Sequence, residues 1–284
     1  MTLITLKDVL LPAREDGYAV GAFNCMNMEI VQAIGEAARL ERSPVIIQAS
    51  QGAVKYAGLH YITGLVGIVA AEIDVPLVLH LDHGSDFAQI VQCIRAGFTS
   101  VMVDASRYPL AENIEKTRKI VEIGRAAGVS VEAELGQIGG VEDEVRVLDR
   151  ETAFTDPDEA RDFVRATGVD ALAVAIGTAH GPYAGEPDLD FARLAHIRRQ
   201  VDCPLVLHGS SGLPEESLRK AVEMGICKIN IDTNIREAFT GTLRAALDGD
   251  PGSIDPRKAL TAAKEAAIAV IREKIRIFGS SGRA

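Results

Sequence analysis

The segments PLVLHLDH (residues 76–83) and PLVLHGSS (204–211) are near copies of each other, more than a hundred residues apart in the chain. Each is a short continuous run of Val and Leu behind a proline, and each breaks into histidine and small or acidic residues at its end. A run that is apolar on both faces reads as a strand covered on both sides, as in a parallel sheet flanked by helices. Six more runs of this kind punctuate the chain: AVGAFN (19–24), PVIIQAS (44–50), SVMVDAS (100–106), VSVEAELG (129–136), ALAVAIGT (171–178) and KINIDTN (228–234).

Longer stretches with apolar residues at helical spacing separate these runs, for example NMEIVQAIGEAARLE (27–41) and PLAENIEKTRKIVEIGRAAG (109–128). Several end in RAG, AAG, ATG or EMG, where a glycine just past the last helical residue marks the stop before the next strand. Eight strand-then-helix units with no Pro- or Ser-rich linker predict an α/β fold, a single (β/α)8 TIM barrel over residues 1–284, closed by an extended C-terminal helix at about 255–279 with Pro256 near its start. An open doubly wound sheet is the competing topology. Its dinucleotide-binding form is disfavoured because no G-x-G-x-x-G follows the first strand.

Composition narrows the function. Hydrophobic residues make up 47% of the chain and charged residues 25%, enough for a sizeable core in a globular protein. The formal net charge of -10 repels nucleic acid and anionic membrane surfaces before any local contact forms, so neither is expected as a partner. Cys25, Cys93, Cys203 and Cys227 lack C-x-x-C spacing and are expected to be reduced. The N-terminal MTLITLKDVLLPAREDGY is broken by charges, and the most apolar window, YITGLVGIVAAEIDVPLVLH (61–80), is cut by Glu72, Asp74 and Pro76; neither suits a signal peptide or a spanning helix, and a cytoplasmic location is expected.

In a barrel the chemistry gathers at the carboxyl ends of the strands. Read as one list, those ends hold Asn24, Gln48 with Ser50, Asp82 with His83, Asp104 with Ser106, Glu132 with Glu134, Thr178 with His180, His208 to Ser211, and Asn230 to Asn234. His83, His180 and His208 follow the third, sixth and seventh strands. Three imidazoles on one rim form a ligand set suited to zinc with a position open for substrate, and Glu134 and Asp104 offer oxygen ligands beside them. His80 lies inside its strand and reads as a core residue; His60 and His196 fall on helices. The small residues of HGSSG and NIDTN, after strands seven and eight, let backbone N–H groups approach an anion, which suits a phosphate. The segment 136–157 reads as an acidic loop with Gly136, Gly139 and Gly140 as hinges, from which Glu142 can swing over the pocket as a proton acceptor. Lys228 is read as opening the eighth strand at the end away from the site, which disfavours imine chemistry.

Together, LHLDHG, VEAELGQIGGVEDE, GTAHGPY, LHGSSGLPEE and KINIDTN resemble the class II, zinc-dependent fructose-bisphosphate aldolases and their tagatose-bisphosphate relatives, over essentially the whole chain. The resemblance implies reversible cleavage of fructose 1,6-bisphosphate to dihydroxyacetone phosphate and glyceraldehyde 3-phosphate, with tagatose 1,6-bisphosphate or a related ketose phosphate as the alternative. It assigns one catalytic Zn2+ per subunit to His83, His180 and His208, with Glu134 and Asp104 near a second metal position. Asp82 becomes the acid/base at the C4 oxygen and Glu142 the proton carrier on the triose carbon. Gly181, Gly209, Ser211, Asp232 and Thr233 become the phosphate cradle, with a monovalent cation, Na+ or K+. Asn24, Asn230 and Ser50 are placed near the triose, and Arg257 reaches the second phosphate of a neighbour in a homodimer or homotetramer. Two positions depart from the family pattern: Ala184 stands where a phosphate-facing lysine is common, and Asn234 where an aspartate is common. A metal-dependent barrel hydrolase and a sugar-phosphate-binding protein without turnover remain the competing functions.

Overall fold

The computed structural model of the chain describes residues 3–142, 145–147, 154–181, 183 and 187–284, with 140–142 and 145–147 described by their backbone alone. Its strands, in chain order, are β1 (Val20–Asn24), β2 (Val45–Ser50), β3 (Leu77–Asp82), β4 (Ser100–Val103), β5 (Ser130–Leu135), β6 (Gly139–Glu142), β7 (Val145–Val147), β8 (Ala171–Val174), β9 (Ala179–His180), β10 (Leu205–Leu207) and β11 (Ile226–Ile231). The order β1-β11-β10-β8-β5-β4-β3-β2 closes on itself with parallel pairing throughout. Every one of the eight apolar runs supplies one barrel strand, and the fold is the (β/α)8 barrel.

The helices are α1 (Leu6–Asp16), α2 (Met28–Glu41), α3 (Gln51–Ala57), α4 (Leu59–Glu72), α5 (Phe87–Ala96), α6 (Leu110–Ala127), α7 (Pro157–Thr167), α8 (Phe191–Gln200), α9 (Glu215–Glu223), α10 (Thr233–Gly249) and α11 (Pro256–Ile277). Side chains that follow strands often start them: Asn27, Ser50, Asp86, Asp156, Asp190 and Asp255 each accept a backbone N–H of the first turn. No single helix among the described residues is long and apolar enough to cross a membrane.

Period-two alternation sets what lies inside the barrel. Residues of one parity face the interior, and along β1, β2 and β3 they pass from apolar to polar: Val20 and Ala22 lead to Asn24, Ile46 to Gln48 and Ser50, Val78 to His80 and Asp82. The apolar lower layer packs on α1, which buries Leu6, Val9, Leu10 and Ala13 against it and so plugs the amino-terminal mouth. The polar layer is left at the carboxyl ends, where it must be satisfied by internal hydrogen bonds or by ligands. A second, larger apolar shell fills the space between the barrel and its outer helices.

Two elements differ from the sequence reading. The segment after β5, read as a loop, contains β6 and β7 paired antiparallel, with β6 also pairing parallel to β9. Gly140–Glu142 pairs with Val145–Val147 as a two-stranded ribbon even though the charge of the segment suggested a solvated loop. A further helix, α3, not read from the sequence, precedes α4, and the two are broken at Gly58.

The C-terminal helix is clamped to α2 by one carboxylate. Glu41 accepts from Arg272 (2.7 Å), Arg276 (2.7 and 3.0 Å) and Ser281 (2.9 Å), with its own side chain 5% exposed. Burial pushes its pKa up, but the two arginines and the serine hydroxyl prevail and lower it to about 2. A depressed carboxylate stabilises the fold above its unfolded pKa near 4.5, and that contribution is lost as pH falls from 4.5 toward 2. Both arginines are partly exposed, so the effect is screened to about 2 kcal/mol. Thermal melts of Glu41→Gln should therefore fall below those of the parent at pH 7 and converge with them near pH 2; an unchanged gap at both pH values would remove Glu41 from this role.

Candidate metal centre and active site

The polar layer is built around Asp82, at the end of β3 and fully buried. Its Oδ2 accepts from Asn24 Nδ2 (2.8 Å) and Gln48 Nε2 (3.1 Å), and its Oδ1 accepts from Asn230 Nδ2 (3.1 Å). Gln48 Nε2 also donates to Asn24 Oδ1 (2.7 Å), so amides from β1, β2 and β11 lock one another as well as the carboxylate. Oδ1 is the oxygen with fewer donors, and it lies 4.0 Å from Nε2 of His83.

His83 occupies the left-handed region (φ 48°), unusual for a side-chain-bearing residue and costly unless its surroundings enforce it. They do: Gln51 donates to the His83 carbonyl (2.9 Å) and to Ser85 Oγ (2.9 Å), and accepts from the Asp86 N–H (3.2 Å). The turn aims the imidazole back over the barrel, where it meets the rings of His208 (centroids 4.7 Å apart) and His180 (5.1 Å). His180 arrives on β9, held by pairing to β6. Next to it, the Tyr183 hydroxyl donates to the Gly209 carbonyl (2.7 Å) and accepts from the Ala179 N–H (2.9 Å). Gly209 (φ 63°) passes so close to β9 that a Cβ there would stand 2.7 Å from the Ala179 carbonyl. The glycine of HGSSG is therefore required by the approach of the two loops that carry His180 and His208.

The three imidazoles offer nitrogens within 4.8 Å of one another, and a nitrogen of His83 lies equally close to carboxylate oxygens of Asp104 and Glu134. The hydrogen-bond pattern tests whether a metal fits. His83 Nδ1 pairs with Asp104 Oδ2 (3.0 Å), and His208 Nε2 pairs with Glu132 Oε1 (2.9 Å). Burial raises the pKa of both carboxyls, yet the His83 and Ser106 bonds to Asp104, and Lys228 with His208 at Glu132, hold them well below the usual range. Burial lowers the His208 pKa more than Glu132 raises it, so the ring is neutral at pH 7. A neutral imidazole has one N–H, and in His208 it is committed to Glu132. His208 Nδ1 and His83 Nε2 nevertheless face each other at 3.0 Å. With Nε2 given to Glu132, His208 turns an acceptor nitrogen toward His83, and three imidazoles with oxygen donors beside them suit zinc.

Alongside the imidazoles lies a cavity of about 90 Å³ whose lining includes His180, Gly181, Gly209, Ser211, Asp232 and Thr233. Asn24 and Asn230 border it too, and Asn230 Oδ1 is buried without a hydrogen-bond partner among the described residues, leaving an acceptor for a ligand hydroxyl. A larger groove of about 670 Å³ runs over the outer faces of α6 and α7, far from these groups, so volume alone does not locate the chemistry.

Of the residues expected from sequence, Ser50 caps α3 beside Asp82 in register and is not in the cavity lining. Arg257 starts α11, is bonded to Asp255 (2.7 Å) and is 87% exposed, away from the cavity. The side chain of Glu142 and all of Ala184 lie outside the described residues. Asn234, on α10, has a buried Oδ1 without a hydrogen-bond partner among the described residues. Lys228 is a correction: it sits third in β11, fully buried, with Nζ 2.8 and 3.1 Å from the Glu132 oxygens. It is thus inside the barrel beneath His208 rather than at the far end. Its ammonium is engaged by both oxygens, so it remains unsuited to imine formation. Sequence reading also missed Arg236, which lines the cavity and is tethered through Nε to Asp232 Oδ1 (2.7 Å). Its position four residues after Asp232, one helical turn on, is the signal that could have found it.

Comparison with known proteins points to one family. A family model described as fructose-bisphosphate aldolase class-II matches residues 4–283. The chain is 45% identical to a fructose-bisphosphate aldolase of Thermus caldophilus, over 99% of this chain and 100% of that one. Among solved structures it resembles the YdjI aldolase of Escherichia coli K12 (TM-score 0.88, 32% identity, all of both chains). A putative fructose-1,6-biphosphate aldolase of Coccidioides immitis is also similar (TM-score 0.88, 31% identity, 98% and 97% covered).

Proposed function

The chain belongs to the class-II fructose-bisphosphate aldolase family, and from that premise we infer that it splits fructose 1,6-bisphosphate reversibly at the C3–C4 bond, using the residues around Asp82 and the three histidines. The observation that carries this reading is the pair of facing imidazole nitrogens beside a small cavity lined by glycine, serine and threonine. His83, His180 and His208 would hold the zinc, with Glu134 and Asp104 as neighbouring oxygen donors. A zinc ion there supplies a Lewis acid for the negative charge that develops on a ketose carbonyl oxygen as the adjacent bond breaks.

The protein's own groups account for the protons. Asp82 Oδ1 takes the proton of the C4 hydroxyl, C4 leaves as the aldehyde of glyceraldehyde 3-phosphate, and the bonding pair moves toward the C2 carbonyl. Glu142 returns a proton to C3, completing dihydroxyacetone phosphate. The cradle of Gly181, Gly209, Ser211, Asp232 and Thr233 receives a phosphate, and an Na+ or K+ ion near Asp232 would offset its carboxylate. Arg236 supplies a cation to this cavity. We further propose a homodimer or homotetramer in which Arg257 serves a neighbouring site; its exposure and distance from its own cavity support that reading. A cytoplasmic setting accords with four free, buried cysteines.

The test is a coupled assay for triose phosphates on zinc-loaded protein, before and after chelation, with tagatose 1,6-bisphosphate as the second substrate. Full activity after metal removal, or release of inorganic phosphate in place of triose phosphates, would refute the reading. Arg236→Ala should raise KM by about tenfold with a smaller change in kcat, since an exposed charge-assisted phosphate contact is worth about 1.5 kcal/mol; equal losses in both would place Arg236 elsewhere in the cycle. Glu142→Ala should lose about 10²-fold in hydrogen exchange at the hydroxymethyl carbon of dihydroxyacetone phosphate while still binding zinc. Unchanged exchange would clear Glu142 of its role.

A further inference from the structure

Behind His208, on the side away from the cavity, the barrel encloses a charged cluster that the proposed chemistry does not use. Glu132, Lys228, His208 and His80 are all fully buried. Lys228 Nζ bonds both oxygens of Glu132 (3.1 and 2.8 Å), while Oε1 also receives His208 Nε2 (2.9 Å). On the other side His80 packs with Nε2 3.7 Å from Oε2 and Nδ1 2.8 Å from Ser100 Oγ.

Fold stability does not account for this arrangement. A buried ion pair loses so much hydration that an apolar pair of the same volume serves a core as well or better. The same barrel uses that apolar solution elsewhere in its interior, with Val20, Ile46, Val78 and Val206. What an apolar pair cannot do is choose a tautomer. Glu132 accepts the one N–H of neutral His208 at Nε2, and this leaves the Nδ1 lone pair directed at His83 Nε2, 3.0 Å away. Without that acceptor the proton can sit on Nδ1 and the ring can turn about χ2, and either change withdraws one ligand. Lys228 grips both carboxylate oxygens, so Oε1 cannot swing off the histidine.

We propose that the Glu132–Lys228 pair is a positioning device which fixes the tautomer and ring orientation of His208 for metal binding; the inference rests on the reading of His208 as a zinc ligand. His83 has a shorter version of the same arrangement in Asp104, whose two oxygens are held between the ring and Ser106. Conserving an acceptor behind each imidazole matters because carboxylate partners of metal-bound histidines typically tune affinity by about 10- to 100-fold.

Two double variants separate positioning from structure. In Glu132→Leu/Lys228→Met the charges go and the volume stays, while in Glu132→Gln/Lys228→Met an uncharged acceptor remains for His208 Nε2–H. Zinc affinity is read by competition with a chromophoric chelator, and site geometry by the visible absorption of the Co2+-substituted protein. The leucine variant should melt within a few degrees of the parent, bind zinc about 10- to 100-fold more weakly and show a changed Co2+ spectrum. The glutamine variant should recover most of the affinity. Parental zinc affinity and Co2+ spectrum in the leucine variant would overturn the proposal, and so would a leucine variant that fails to fold while the glutamine variant also binds weakly. Absence of stoichiometric zinc in the parent protein would instead overturn the reading of His208 on which it depends.

Discussion

Replacing His208 with alanine is expected to abolish stoichiometric zinc binding and to reduce cleavage of fructose 1,6-bisphosphate by about 10³-fold, corresponding to roughly 4 kcal/mol of lost charge stabilisation. Two imidazoles then remain, and Asp104, an oxygen donor beside them, is already engaged with His83 and Ser106. The fold should survive, since Glu132 keeps both bonds from Lys228 and no buried charge is left unpaired. A cavity the size of an imidazole opens, costing about 2–3 kcal/mol. Metal content and melting temperature measured on the same preparation separate the outcomes. His196→Ala, an exposed change on α8, serves as the control that should alter neither metal nor rate. One zinc per chain retained in His208→Ala would show that the histidine is not a ligand.

How much of this was legible depended on whether the determining contact was local. The strand ends were readable because covered parallel strands are continuous apolar runs, and in a barrel their last residues share one rim. That logic placed Asp82, His83, His180 and His208 together with no knowledge of the packing. Lys228 was misread because a lysine beside an apolar run ordinarily marks the strand's solvated end. Only a carboxylate 96 residues away, on a strand that closes the barrel from the other side, makes it an interior residue. Glu132 was passed over for the same reason, as its role is defined by two partners from β10 and β11. The ribbon of β6 and β7 was hidden by its charge, although it is this ribbon that holds β9 and hence His180. The left-handed turn at His83 was also beyond sequence, because HG before a helix fits many turns, and the lock comes from Gln51 on α3.

Asp82→Asn should lower kcat by about 10³-fold while leaving zinc content and KM close to those of the parent. The substitution keeps shape, and the surrounding amides dictate how the new side chain sits. Asn24 and Gln48 both donate to the Oδ2 position, so the carbonyl oxygen of the asparagine must take that place. Its NH2 group then falls where Oδ1 was and meets Asn230, whose amide can turn to present its otherwise unpartnered Oδ1. Every buried hydrogen bond is thereby kept, and the fold loses little. The site, however, now offers a donor at the one position from which a proton was to be accepted, and an amide nitrogen is no base at neutral pH. The proton step at C4 should then fail, while the step at C3 is the one proposed for Glu142. Asp82→Asn should accordingly still exchange the hydroxymethyl hydrogen of dihydroxyacetone phosphate with solvent, whereas Glu142→Ala should not. If Asp82→Asn retained parental kcat, the C4 proton would have to go to another group. If it lost exchange and cleavage equally, Asp82 would act on bound triose as a whole and not on the C4 hydroxyl.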